Sequence, residues 1–373
     1  MTPSTPPLPP PLLPSTQTSP TPPPPLPSPP FHPIPNVPNF RDIGGYPIIP
    51  PPTKTTSSSS STTSTLPLPP RPRPPLRVRK NIIYRGSDPT HITPAGEAKL
   101  RALGIVRDYD LRTTAQIKRM GGGKEMEGIE RVCVPLFEDS SSSSSSSSSS
   151  CAGGGGNKQE EKEEEEKTKR RYELYADDGT EGILSAFLEI LLSSRTAYRA
   201  ILLPLITTPS SPIISTPSLT PLHTPNPPPH PRPSSTHAAA IFLHCTTGNN
   251  RTGVLIAVLL SLLYVPAKTI AYEYALSNLG LAATRRGNIE RLLAKGAFAA
   301  LGDEGMRRRK CERMLSAREE SVVALLKEVE GRWEGGAEGF FRDVVGLSGD
   351  EIEGVRRALT EEGEGEKGWR VGF

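Results

Sequence analysis

The chain has 373 residues, of which 43 are proline and 33 are glycine, with most prolines in a few tracts. This composition favours one folded domain with long inserts over the two domains that the length alone would allow. The net charge of +4, from 44 basic and 40 acidic side chains, is nearly balanced and argues against a nucleic-acid partner.

Cysteine usage and hydropathy indicate the compartment. The cysteines show neither metal-ligand spacing nor the density of a secreted disulfide scaffold. The N-terminus lacks the features of a signal peptide, and the longest apolar run, 254–265, is too short to span a bilayer. We therefore expect a cytoplasmic protein without stable membrane insertion, and we expect neither a metal nor a cofactor.

Low-complexity stretches divide the chain. They are rich in Pro, Ser and Thr, or in Glu and Lys, and cannot bury enough apolar surface to offset their ordering entropy. We expect disorder in four stretches: 1–35, 48–75, 139–170 and 207–237. The rest of 36–373 is predicted to form a single domain. The Pro-rich segments are candidate ligands for proline-recognising domains, although simple spacers are the favoured interpretation.

Strands alternate with helices in the first part of the chain. Asn81–Arg85 predicts a strand, and Thr93 predicts the cap of a helix that Gly104 ends. Further predicted strands are 105–111, 131–135 and 238–244, and further predicted helices are 182–192 and 195–206. This order predicts an α/β fold with a central, mostly parallel sheet flanked by helices.

Beyond Val254 the chain is predicted to be entirely helical. The helices are placed at 254–265, 267–276, 288–301, 317–332 and 348–360. Ser348 and Glu351 have the spacing of a capping box at the start of the last one.

The sequence His244-Cys-Thr-Thr-Gly-Asn-Asn-Arg-Thr-Gly253 joins the predicted strand 238–244 to an apolar helix. Ligands of α/β proteins bind at this end of a sheet. Backbone N–H groups can curl there into an anion-binding nest at the positive end of the helix. We therefore predict a phosphate-binding loop made of Thr246, Thr247, Gly248, Asn249, Asn250 and Arg251, in which Gly248 supplies backbone freedom.

Four side chains of this loop are predicted to have chemical roles. Cys245 should lose its proton readily in the positive environment, and only the thiolate is a competent nucleophile. Arg251 can grip two phosphate oxygens, and Thr252 can stabilise the sulfur when it leaves. His244 is expected to order the loop through hydrogen bonds. A buried structural cysteine is the simpler interpretation, but Cys-x5-Arg-Thr-Gly with its flanking elements favours a phosphatase.

Other motifs accompany this loop in chain order. They are Asn39-Phe-Arg-Asp-Ile-Gly-Gly-Tyr46, Tyr84-Arg-Gly-Ser87, Asp110-Leu-Arg112, Tyr274-Ala-Leu-Ser-Asn278 and Phe341-Arg-Asp-Val-Val-Gly-Leu-Ser348. Together they resemble the tyrosine phosphatase group that includes fungal tyrosine/serine phosphatases and secreted bacterial lipid/tyrosine phosphatases. The resemblance implies a cysteine-phosphatase fold. It also implies hydrolysis of phosphomonoesters through a phosphocysteine intermediate.

The loop departs from that family at one place. The family usually has Lys-Asp before the arginine, whereas this chain has Asn249 and Asn250. Without the lysine the attraction for polyanionic phosphoinositides is weaker, so phosphotyrosine or mixed phosphoprotein substrates are expected first and phosphoinositides second. The alternative from another class is a phosphate-binding pseudophosphatase or scaffold that lost turnover.

The general acid has two open interpretations. The roughly thirty residues before Cys245 contain no Asp or Glu, so the acid loop that many tyrosine phosphatases keep there is missing. Asp110, at the end of a predicted strand, is the best candidate by position and resemblance. Structural pairing of Asp110 with Arg112 is an equally open alternative. Asp42 is expected to fix a turn.

Overall fold

The computed structural model describes residues 25–51, 74–137, 158–207 and 239–363, and a five-stranded sheet lies at its centre. The strands of this part of the chain are β1 Arg41–Asp42, β2 Leu76–Val78, β3 Ile83–Gly86, β4 Ile105–Asp110, β5 Glu130–Cys133, β6 Ala240–His244 and β7 Thr360–Glu362. The central sheet has the order β1-β3-β6-β4-β5. Only β1 is antiparallel to its neighbour, so the predicted mostly parallel sheet is confirmed.

Helices cover the sheet and build the C-terminal part, which also confirms the predicted α/β architecture. They are α1 Pro94–Ala102, α2 Thr114–Arg119, α3 Lys158–Tyr175, α4 Glu181–Leu192, α5 Arg195–Thr207, α6 Asn250–Leu262, α7 Ala267–Ala275, α8 Ser277–Gly280, α9 Ala282–Ala294, α10 Glu304–Met314, α11 Glu319–Arg332, α12 Ala337–Phe340 and α13 Gly349–Leu359. A 3₁₀ turn spans Ala299–Leu301 and a π-helical turn spans Phe341–Val345. None of the described helices is both long and apolar enough to cross a bilayer.

Local signals set several helix ends. Thr93 accepts a hydrogen bond from the N–H of Gly96 at the start of α1, as predicted. The capping box of Ser348 and Glu351 is present at the start of α13. These contacts satisfy N–H groups that the first turn of a helix leaves without partners.

The predicted helix at 288–301 is wrong in its bounds. The observed helix α9 starts at Ala282, six positions earlier, and ends at Ala294. Gly296 adopts a φ of 76° just beyond it, which is left-handed backbone that no helix can continue through.

The prediction of helix alone beyond Val254 is also wrong at β7. This strand pairs antiparallel with β2, and Val78 of β2 is buried. The partner lies about 280 positions earlier in the chain, so no pattern near 360–362 could predict the pairing.

The sheet separates two hydrophobic clusters because strand side chains alternate between its faces. Ile83 and Leu243 belong to the larger cluster, which includes α4, α5, α6 and α11. Their neighbours Tyr84 and Phe242 belong to the smaller cluster, which includes Leu100 of α1. Helix α6 is therefore buried almost throughout, and it holds the loop that precedes it against the edge of the sheet.

Two of the predicted disordered stretches are partly ordered. In the stretch 1–35, Phe31 and Ile34 are buried. Ile34 packs with Tyr84 and Phe242 of the sheet, and Phe31 forms a backbone bridge with Arg41 of β1. In the stretch 139–170, the Glu/Lys-rich residues from Lys158 onward belong to α3, whose C-terminal turns pack against α4 and α10. The other parts of the four stretches lie almost entirely outside the described residues.

Candidate active site

The loop predicted to bind phosphate joins the central strand β6 to helix α6. Strand β6 lies between β3 and β4 and is buried along its whole length. Cys245 therefore lies directly after the carboxyl end of β6, at the edge of the sheet. Helix α6 begins at Asn250, five positions later. A helix N-terminus carries partial positive charge and free N–H groups, so this geometry suits an anion.

Gly248 is required by the path of the loop. Its φ is 65°, and a Cβ atom at this position would collide with the carbonyl oxygen of Gly86 at the end of β3. The predicted need for glycine is confirmed, because any other side chain would meet both the strained φ and this backbone contact.

The Cys245 thiol lies at the centre of the loop and is only 3% exposed. Burial alone would raise its pKa, but Arg251, the Thr252 hydroxyl and the N–H groups of Thr252 and Gly248 together lower the pKa below the ordinary thiol value. The buried Thr252 hydroxyl has no hydrogen-bond partner within the described part of the chain, so it can donate to the sulfur. The loop therefore favours a thiolate, the nucleophilic form of cysteine.

The guanidinium of Arg251 is held in place from two sides. Its Nη1 donates to Gln116 Oε1 at 2.6 Å and to the carbonyl of Leu111 at 3.3 Å. Its Nη2 donates to Thr246 Oγ1 at 3.3 Å. No carboxylate of the described residues forms an ion pair with Arg251, so its charge is left for a ligand.

The two asparagines that replace Lys-Asp differ in position. Asn250 lines the cavity above Cys245, and its Oδ1 accepts a hydrogen bond from Tyr274 at 3.1 Å. Asn249 is only 2% exposed and is not among the cavity-lining residues. The side chain of Asn250 can thus reach a ligand, whereas Asn249 acts through its backbone at the start of α6.

A buried ion-pair network supports the loop from below. Arg85 of β3 donates to the carbonyl of Gly248 at 2.6 Å and to Glu273 Oε2 at 2.7 Å. Arg41 donates to the other oxygen of Glu273 at 2.8 Å, and Asn39 Nδ2 donates to the carbonyl of Thr247 at 3.1 Å. Burial would raise the pKa of Glu273, but the two arginines lower it, so the carboxylate stays charged.

Sequence reasoning missed Arg85 and Glu273 as supports of the loop. The available signal was a charged residue inside an otherwise apolar element, namely Arg85 in β3 and Glu273 among the buried residues of α7. Asp42 is structural, as expected: its two oxygens accept hydrogen bonds from the N–H groups of Gly44 and Asn81.

His244 lies in a fully buried acidic environment. Its Nε2 is 2.9 Å from Asp108 Oδ1, and its Nδ1 is 3.3 Å from the carbonyl oxygen of Cys245. Burial would lower the pKa of His244, but Asp108 and Asp110 raise it to about 9. The imidazole is therefore charged at neutral pH and holds the backbone of Cys245, in line with an ordering role.

Asp110 is fully buried and committed to ion pairs. Its carboxylate accepts hydrogen bonds from Arg112 Nη2 at 2.7 Å and from Arg112 Nε, and it also pairs with Arg131. Burial would raise the pKa of Asp110, but His244 and Arg112 hold it well below the usual range. A general acid must carry a proton, so these contacts favour the structural interpretation over the catalytic one.

A cavity of about 150 Å³ opens above Cys245. Side chains of α3, α9 and the loop form its walls, together with Phe137 and the end of α10. The described lining residues are Gln116, Phe137, Thr168, Arg171, Tyr172, Tyr175, Cys245, Thr246, Thr247, Asn250, Arg251, Asn288, Arg291, Leu292, Met314 and Leu315. In the part of the chain that the structure describes, no cluster of His, Cys, Asp or Glu has the arrangement of a metal site.

Comparison with known proteins agrees with this geometry. No curated protein matches the chain. The model of the tyrosine phosphatase family matches residues 32–215 and 234–361, which include the strands of the central sheet, the loop around Cys245 and the supporting network. On this match the chain belongs to the tyrosine phosphatase family.

Proposed function

We propose that this protein hydrolyses phosphomonoesters through a phosphocysteine intermediate, with phosphotyrosine or mixed phosphoproteins as substrates. Family membership supports phosphatase activity in general. The observation that carries the specific proposal is the pairing of Cys245, whose thiol pKa is lowered, with the Arg251 guanidinium, which has no carboxylate partner among the described residues.

In the first step the Cys245 thiolate attacks the phosphorus atom in line with the ester oxygen. A P–S bond forms, the P–O bond to the substrate breaks, and the alcohol or phenol leaves as it takes up a proton. Arg251 and the loop N–H groups bind the equatorial oxygens, where charge increases in the transition state. The cavity lining contains no carboxylic acid among the described residues, so we assign no side chain as proton donor.

In the second step water attacks the phosphocysteine, the P–S bond breaks, and inorganic phosphate leaves. The departing sulfur becomes a thiolate again. The Thr252 hydroxyl and the N–H groups of Thr252 and Gly248 stabilise it, as they do in the resting enzyme. The same contacts that lower the thiol pKa therefore assist the second step.

The cavity walls support an aryl phosphate as the leading substrate. Phe137, Tyr172 and Tyr175 line the cavity with aromatic rings, and Leu292 and Met314 add apolar surface. Such walls suit the ring of phosphotyrosine, which prefers stacked or edge-to-face contacts. Phosphoinositides are the second candidate, on the family resemblance alone.

The test is turnover of an activated aryl phosphate by the purified full-length chain. We expect vanadate-sensitive hydrolysis that persists with a chelator and is lost in Cys245→Ser. Rapid-quench labelling with a ³²P-substrate should trap a phosphoenzyme in the wild type and none in Cys245→Ser. Cys311→Ala is the matched control, because Cys311 is a buried cysteine on α10 whose pKa is raised by burial. It should keep wild-type turnover.

Residual turnover in Cys245→Ser, beyond a trace, would contradict the assignment of the nucleophile. A wild type that binds phosphate esters without turning them over would support the pseudophosphatase alternative instead. Isothermal titration of Cys245→Ser with a phosphotyrosine peptide separates this outcome from a protein that does not bind phosphate at all.

A further inference from the structure

The cavity above Cys245 holds more positive charge than one phosphate group requires. Arg171, Arg251 and Arg291 line it, and none of its described lining residues is an Asp or Glu. Arg251 lies within the phosphate loop, where it serves the scissile phosphate. The other two arginines come from helices α3 and α9, so they are positioned independently of the loop.

Arg171 is unusual among the buried arginines of the described residues. It is only 9% exposed, yet no hydrogen bond or ion pair of its guanidinium occurs among these residues. The other buried arginines, Arg41, Arg85, Arg112, Arg131 and Arg318, all donate hydrogen bonds to carboxylate or carbonyl oxygens. The guanidinium of Arg171 lines the cavity with no counter-ion among these residues, so an anion bound in the cavity can pair with it.

The surroundings of Arg171 aim it at the cavity. Its guanidinium lies over the ring of Phe137, 3.9 Å from the centroid, which fixes the plane of the fork. Thr168 and Tyr175 lie one turn before and after it on the same helical face and also line the cavity. The Thr168 hydroxyl is buried and has no hydrogen-bond partner within the described residues. One face of α3 therefore presents unused polar groups.

Tyr175 connects this face to the catalytic loop. Burial raises the pKa of Tyr175 to about 12, while the nearby charges of Arg251 and Arg171 oppose the rise. Its side chain thus lies within electrostatic range of both guanidinium groups. All three side chains line the same cavity, so one ligand can contact both arginines.

We infer, building on the proposed hydrolysis at Cys245, that Arg171 binds a second anionic group of the substrate, the carboxylate of an acidic residue beside the phosphotyrosine. A guanidinium fork pairs bidentately with a planar carboxylate. The aromatic rings that line the same cavity accommodate the aryl ring. The protein is therefore a phosphatase with a preference for acidic phosphotyrosine peptides, and Arg171 is the residue that sets this preference.

The experiment compares kcat/KM for two phosphotyrosine peptides that differ only in flanking Glu or Gln residues. The wild type should prefer the Glu peptide by roughly tenfold or more, as a charge-assisted bidentate pair implies. Arg171→Met should bring this ratio close to one, and Arg171→Lys should give an intermediate ratio. The ratio in the wild type should also decrease as salt concentration rises.

The matched control is Arg286→Met. Arg286 is an exposed arginine of α9 outside the cavity, so its removal should leave the ratio unchanged. Melting temperatures of all variants identify any loss of folding. Dissociation constants of the two peptides for Cys245→Ser, with and without Arg171→Met, give the same comparison without turnover, so a failure of the proposed hydrolysis is distinguished from a failure of this inference.

Two results would overturn the inference. One is a wild-type ratio near one, or a ratio that Arg171→Met leaves intact while the peptides are still bound or hydrolysed. The other is a kcat/KM for benzene-1,4-diyl bisphosphate that exceeds the value for the Glu peptide in the wild type but not in Arg171→Met. The latter would assign Arg171 to a second phosphate instead of a carboxylate.

Discussion

The guanidinium of Arg85 donates a 2.6 Å hydrogen bond to the carbonyl oxygen of Gly248, which links the middle of β3 to the middle of the phosphate loop. The same guanidinium is fixed by Glu273, which also binds Arg41. The loop is thus held from inside the protein by a carboxylate shared between two arginines. Its shape is set before substrate binds, which is the condition for electrostatic stabilisation of a transition state.

Replacing Glu273 with Gln should destabilise the protein by about 3–5 kcal/mol, because it leaves two buried arginines without their shared counter-charge. Turnover should fall as well, since Arg85 would no longer be held against Gly248. Urea unfolding and steady-state kinetics measure the two effects. Glu290→Gln is the control: it breaks an exposed pair with Arg308 and should change neither quantity measurably. A stable, active Glu273→Gln variant would contradict the proposed support.

Replacing Thr252 with Val should raise the pKa of Cys245, because it removes a hydroxyl that stabilises the thiolate. A hydrogen bond to a charged group corresponds to about one to two pH units. The acid limb of kcat/KM and the pH profile of iodoacetamide alkylation should both move to higher pH by that amount. Thr284→Val is the matched control, because the hydroxyl of Thr284 on α9 donates a hydrogen bond to the carbonyl oxygen of Leu281. Coincident alkylation profiles of Thr252→Val and the wild type would rule out this role.

Stability should depend on pH through His244. Its pKa rises from about 6.5 in the unfolded chain to about 9 in the fold. The unfolded state therefore loses its proton first, and this contribution is complete below pH 6.5 and lost as pH rises to 9. The free energy of unfolding should drop by roughly 3 kcal/mol over this window.

Measurement in a Cys245→Ser background removes the Cys245 thiol, a second titratable group whose pKa the fold lowers. Asp108→Asn should flatten the pH dependence, because it removes the carboxylate 2.9 Å from Nε2. An equally steep slope in Asp108→Asn would show that another group is responsible.

Replacing Asp110 with Asn should slow a phosphotyrosine peptide and an activated aryl phosphate to similar extents. Loss of the carboxylate leaves Arg112 and Arg131 without their shared partner, so the protein should also be destabilised by about 3–5 kcal/mol. The measurement is kcat/KM for both substrates together with urea unfolding. Slowing confined to the peptide, with stability unchanged, would return Asp110 to the role of general acid, because only the poor leaving group needs a proton.

Much of the fold and of the catalytic loop was predictable because the signals are local. Residues 238–265 contain an apolar strand, a loop with Cys-x5-Arg spacing and an apolar helix. Capping residues mark the start of a helix within one turn. Such signals depend on backbone geometry that a few neighbouring residues decide. Cys245, Gly248 and Arg251 could therefore be assigned without any knowledge of the rest of the chain.

Contacts across long sequence separations were decided only by the tertiary structure. Arg85 and Glu273 are 188 positions apart, and Arg131 joins Asp110 from the neighbouring strand. The Glu/Lys-rich composition of α3 predicted disorder, yet its last turns place Arg171 over Phe137 beside the catalytic loop. Composition reports whether a segment can fold by itself, whereas the partner of a charged side chain depends on which surfaces the closed chain brings together. That closure is a property of the whole domain. The sequence alone therefore determined the loop around Cys245 and the prediction of a nucleophile there, and the fold decided what surrounds them.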